Sequence, residues 1–95
     1  MESEVDSDII DEMRRLARSG AVPTQILRAL QERLAADPST FRLRAILHFR
    51  EAFQLSIGDA KRIGAASMFP DSARSDQDLD AELLPLILAK QDLWR

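Results

Sequence analysis

An all-α fold is predicted by three features of this sequence. Apolar residues recur at spacings of three and four rather than two, alternation of β-branched residues is absent, and the Ser-x-x-Asp pattern of a capping box occurs twice, at Ser56 and Ser75. Together they predict five helices over residues 5–19, 23–36, 40–53, 57–67 and 76–93. With 95 residues there is chain for one core only, so a single compact bundle is expected, with residues 1–4 disordered.

The first helix places Ile9, Ile10, Met13 and Leu16 on one face and gathers acids near its positive end. Gly20 is a natural stop, since it can take the left-handed conformation that closes helices. Pro23 suits the first turn of the second helix, where its missing N–H has no partner to lose. That helix carries Ile26, Leu27, Leu30 and Leu34 and is expected to end at Asp37-Pro38. Ser39 or Thr40 then caps the third, whose stripe reads Leu43, Ile46, Leu47, Arg50 and Phe53, with Phe49 and Ala52 beside it. So wide a stripe marks a central helix packed on two sides. The fourth starts at Ser56 and turns Ile57, Ala60, Ile63 and Met68 inward. Residues 69–75 form the one long loop, and the last helix follows with Leu79, Leu83, Leu86, Ile87 and Trp94 inward. Pro85 either kinks that helix or breaks it near Leu83–Leu84, and the kink is preferred.

Composition narrows the function. With no cysteine, disulfides and thiolate metal sites are ruled out, and a reduced cytoplasmic compartment fits. No apolar run approaches the ~20 residues that cross a bilayer, and the acidic start is unlike a signal peptide. The net charge of −3 is strongly segregated. Residues 1–12 hold six acids and no base, residues 13–66 ten bases against four acids, and residues 67–95 three bases against six acids. Such blocks are either solvated helix faces or surfaces for partners of opposite charge.

Chemistry finds little footing. The only histidine, His48, pairs at helical spacing with Glu51, and is expected at the edge of a helix interface, exposed or hydrogen-bonded. One histidine without cysteine makes a poor zinc site. The acids Asp71, Asp76, Asp78, Asp80 and Glu82 lack the register of a calcium loop, and the three glycines are too scattered for a phosphate loop. Neither an enzyme, a metal nor a cofactor is expected.

Residues 41–64 carry the remaining signal. The segment AFQLSIGDAKRIG has the outline of a helix-turn-helix. A DNA reader would use residues 56–66, with Lys61 and Arg62 toward bases and Arg42, Arg44 and Arg50 toward phosphates. Against that stand Asp59 in the first turn and Gly58, Gly64, Ala65 and Ala66 where polar readers belong. The stretch REAFQLSIGDAK, residues 50–61, also resembles the helix–turn–helix of the C-terminal domain of the bacterial ribosomal stalk protein L7/L12, through Arg50, Glu51, Ala52, Leu55, Ala60 and Lys61. That family's strands have no counterpart here, so the resemblance implies a local packing unit.

Over its whole length the chain resembles the small, acidic, all-helical immunity proteins of contact-dependent growth inhibition systems in size, charge and pattern. The resemblance implies a protein that binds and neutralises a bacterial toxin, a nuclease with a basic cleft being the fitting kind. Asp71, Asp76, Asp78, Asp80 and Glu82 would steer encounter, with Trp94 and Phe69 as anchors. The same acids can instead complement a helix dipole, and both aromatics can instead close the core. The alternatives are the helix-turn-helix DNA binder and a helical protein-interaction module.

Overall fold

The computed structural model describes residues 5–34, 38–66 and 75–94. Among the described residues six α-helices follow one another: α1 (Ser7–Arg18), α2 (Pro23–Leu34), α3 (Pro38–Phe53), α4 (Ile57–Ala60), α5 (Asp76–Ala89) and α6 (Gln91–Trp94), and a 3₁₀ turn, Lys61–Ala65, continues α4. No strand occurs among the described residues, and the fold is all-α. Residues 1–4 and Met68 lie outside the described residues.

Local signals set most of the helix ends. The Asp6 side chain accepts the N–H of Asp8 at 2.9 Å and opens α1, with Asp8 in the first turn and Arg15 and Arg18 in the last, as the helix dipole favours. At the other end Ala21 N–H reaches the Leu16 carbonyl at 3.0 Å and Gly20 N–H the Ala17 carbonyl at 3.1 Å, with Gly20 at φ +98°. This is the glycine-closed terminus the sequence implied. Ser56 caps α4 through Asp59 N–H at 3.1 Å, and Ser75 caps α5 through Asp78 N–H at 3.2 Å.

The cap of α2 comes from elsewhere. Val22 precedes Pro23 and has no side-chain acceptor, so the N–H of Thr24 needs a distant partner. Asp80, on α5, supplies it: its two carboxylate oxygens accept the Thr24 N–H and hydroxyl, each at 2.8 Å.

Three expectations are corrected. Helix α3 begins at Pro38, earlier than expected, so Ser39 and Thr40 lie inside its first turn rather than capping it. Its buried face is Phe41, Ala45, His48, Phe49, Ala52 and Phe53, whereas Leu43 and Arg50 are exposed and Ile46 and Leu47 half-buried. Alanines at 45 and 52 let neighbouring elements approach closely, which a count of large apolar residues overlooks. The expected helix over 57–67 is one α turn followed by the tighter 3₁₀ turn. Gly58 and Gly64 are poor helix formers, and Ile57, right after the cap, is exposed while Ala60, Ile63 and Ala66 are buried.

Pro85 sits inside α5 on its exposed side, and the helix runs through it without a break near Leu83–Leu84. The interruption comes later, at Lys90, after which α6 adds one turn. That turn carries Trp94 into the core. Its ring meets Phe53 edge-on at 5.2 Å between centroids, Phe53 meets Phe49 at 5.7 Å, and its Nε1–H donates to the Ile87 carbonyl at 2.9 Å. Around these rings pack Ile9, Ile10 and Met13 of α1, Ile26, Leu27 and Leu30 of α2, and Leu79, Leu83 and Ile87 of α5.

Candidate functional site

The acids on α5 are partly consumed by the fold. Asp76 is ion-paired with Arg28 of α2, Glu82 with Arg62 of the 3₁₀ turn, and Asp80 is tied to Thr24. Asp78 is exposed. Phe69 and Asp71 lie outside the described residues. Trp94 retains 2% of its surface and is a core residue in this state of the molecule.

The basic residues are likewise distributed. Arg62 sits between Asp59, 3.6 Å away, and Glu82. Arg42 and Arg44 are half-buried, the stem of Arg42 lying over Gly64, and Arg50 and Lys61 are exposed. The segment over 56–66 therefore presents one α-helical turn and a 3₁₀ turn, with Ala60, Ile63 and Ala66 buried in the core and Arg62 paired with two carboxylates. A recognition helix needs a projecting α-helical face and unneutralised bases.

Viewed in space, the charge blocks fold onto one another. Glu12 of the acidic first block pairs with Arg33 of the basic middle, and Asp76 and Glu82 of the acidic last block pair with Arg28 and Arg62. Much of the segregation seen along the chain is satisfied within it.

A groove of about 530 Å³ lies between α1 and the end of α3, lined by Val5, Ser7, Ile10, Asp11, Arg14 and Glu51. Arg14 forms part of its wall by capping α3: Nε donates to the Ala52 carbonyl at 2.8 Å and Nη2 to the Glu51 carbonyl at 3.3 Å. Asp11 and Glu51 are exposed, so the groove combines apolar Val5 and Ile10 with two carboxylates.

Near this groove is His48, fully buried rather than at an exposed edge. Both ring nitrogens are engaged. Nδ1 lies 2.6 Å from the Arg44 carbonyl, and Nε2 accepts the Asp6 N–H at 3.2 Å. A carbonyl only accepts and an amide N–H only donates, so Nδ1 carries the proton and Nε2 is bare. Burial lowers the imidazole pKa below 6.5, the Arg44 carbonyl opposing it, the Arg44 charge adding to it and the Asp6 charge opposing it. With both nitrogens occupied, this ring has no free position for proton transfer to a substrate.

The exposed large apolar side chains are Leu43, Ile57, Leu88 and Leu93. Lys90 Nζ donates to the Gln54 carbonyl at 2.9 Å and joins the end of α5 to the α3–α4 turn.

Sequence reasoning missed the groove and the Asp80 tie. A faint signal existed for the tie, since a helix starting Val22-Pro23 has no cap of its own. For the groove there was none, because its walls lie 37 or more residues apart along the chain. No cluster of three potential metal ligands and no helix long and apolar enough to cross a membrane occurs among the described residues. Compared with protein-family models, curated proteins and solved structures, the chain matches none.

Proposed function

We propose that this protein works by binding another protein, and that it is an immunity protein that neutralises a cognate bacterial toxin. The observation that carries the binding reading is the exposure of the large apolar side chains Leu43, Ile57, Leu88 and Leu93. Large aliphatic side chains left exposed on a small domain can serve as the anchors of an interface, and anchors of this kind set the off-rate. The potentially reactive His48 is spent on the fold, which favours binding over chemistry. Size, net charge and the REAFQLSIGDAK centre support the narrower immunity reading.

In this reading the partner is basic. The exposed carboxylates Asp8, Asp11, Glu51 and Asp78 speed its approach, while Asp76, Asp80 and Glu82 contribute to the field from their intramolecular contacts.

The test is co-expression with the open reading frame immediately upstream in its own genome. That frame is expected to be lethal alone, harmless with this protein and co-purified with it. Leu93→Asp should abolish co-elution, and Lys61→Ala should leave it intact. A harmless frame with nothing co-eluting would overturn the toxin reading.

A further inference from the structure

The lead-in to α1 is fastened to α3 through the His48 imidazole. Asp6 caps α1 with its side chain, and its backbone N–H donates to His48 Nε2 across 42 residues of sequence. The contact works only while Nε2 is bare. If Nε2 takes a proton, both nitrogens become donors, and Asp6 N–H faces another N–H instead of an acceptor. The ring cannot restore the pairing by changing tautomer, because Nδ1 must keep its proton for the Arg44 carbonyl. Nor can a fully buried imidazolium reach water without moving a neighbour. The Asp6 side of the ring is where movement is easiest, since Val5 is half-buried and Asp6, Ser7 and Asp8 are exposed.

We propose that the Asp6–His48 hydrogen bond is an acid-released latch: protonation of Nε2 detaches the lead-in to α1 from α3 and removes the Val5 wall of the adjoining groove. The charged groups acting on the ring, among the described residues, are Arg44 on its own helix, which resists protonation, and Asp6 from the α1 side, which favours it. From α2, the α4 segment and α6 no charged group acts on it. Once detached, the ring is hydrated and titrates like a free histidine, so the opening equilibrium rises about tenfold per pH unit below the free value, until the docked ring itself is protonated. This inference concerns the chain alone and stands whatever partner it binds.

Hydrogen exchange of the full chain, read residue by residue by NMR between about pH 7.5 and 4.5, tests it. The Asp6 amide is expected to lose protection by about tenfold per pH unit below about pH 6.5, while the core amide of Leu27 stays protected. The His48 ring resonances should titrate over the same range. His48→Gln is the decisive variant, because its amide oxygen can accept from Asp6 and its amide NH₂ can donate to Arg44, yet it does not titrate. In this variant Asp6 protection should be flat with pH. Asp6→Asn keeps the cap oxygen and removes the anion that favours imidazolium in the docked ring, so the loss should begin at the same pH and continue to lower pH before it levels off. The latch is refuted by acid loss of equal size in His48→Gln, by Asp6 protection that ignores the titration of His48, or by loss of Leu27 in step with Asp6.

Discussion

At the scale of single residues, Asp80 and His48 show how much of this fold hangs on polar side chains. Asp80→Ala leaves the Thr24 N–H and hydroxyl without acceptors at a half-buried site, and should cost about 2–3 kcal/mol, measured as a shift in urea midpoint. Thr24→Val removes only the hydroxyl contact and should cost about 1 kcal/mol. His48 makes stability depend on pH. The folded pKa is lowered from 6.5, so the unfolded chain binds the proton more readily. Its contribution is therefore fully present above about pH 6.5 and is lost as pH falls from there toward the folded value. Urea midpoints should drop over that interval in the native chain, and the drop should be absent from His48→Gln.

At the scale of elements, what could be read from the sequence was what acts locally. Gly20, Ser56 and Ser75 each close or open a helix through groups within a few residues, and each was legible for that reason. The face of α3 was not, since hydrophobic size selected Leu43 and Leu47 whereas contact depends on where neighbours approach. Ala45, small as it is, is fully buried, while the larger Leu43 is exposed. The ties from Asp80 to Thr24, Arg14 to Ala52 and His48 to Asp6 join residues 38 to 56 apart, beyond any local pattern. The candidate anchors Ile57, Leu88 and Leu93 escaped notice because exposure is a property of the assembled bundle. Helix α5 offers a test of its own. Pro85 cannot donate to the Ala81 carbonyl one turn earlier, so Pro85→Ala restores that hydrogen bond at an exposed position. It should raise stability by about 1–2 kcal/mol, the helical gain offset by a freer unfolded chain, and a thermal melt would register it.

At the scale of the whole molecule, the separation of charge along the chain serves largely to fasten one part to another. The pairs Arg28–Asp76, Arg33–Glu12 and Arg62–Glu82 join α2 to α5, α2 to α1 and the 3₁₀ turn to α5. Their arginine side chains are 62%, 47% and 45% exposed, so solvent screens each pair and none contributes more than a fraction of a kcal/mol to about one. Raising NaCl from about 0.05 to 0.5 M should therefore lower stability by about 1 kcal/mol in total, readable in the urea midpoint. Leu88→Asp and Leu93→Asp, by contrast, should leave folding within about 0.5 kcal/mol of the native chain, so that a loss of partner binding in either reports on the surface.

The position of Trp94 also governs the order in which the molecule can be completed during synthesis. Phe49 and Phe53 are made long before the residue that covers them, and the α6 turn that brings the indole into place leaves the ribosome after α1 to α5. Helices α1 to α3 can dock on one another early, yet an aromatic face stays uncovered until residue 94 has been translated. Throughout that interval the nascent chain presents chaperones and proteases with a surface that the finished protein hides.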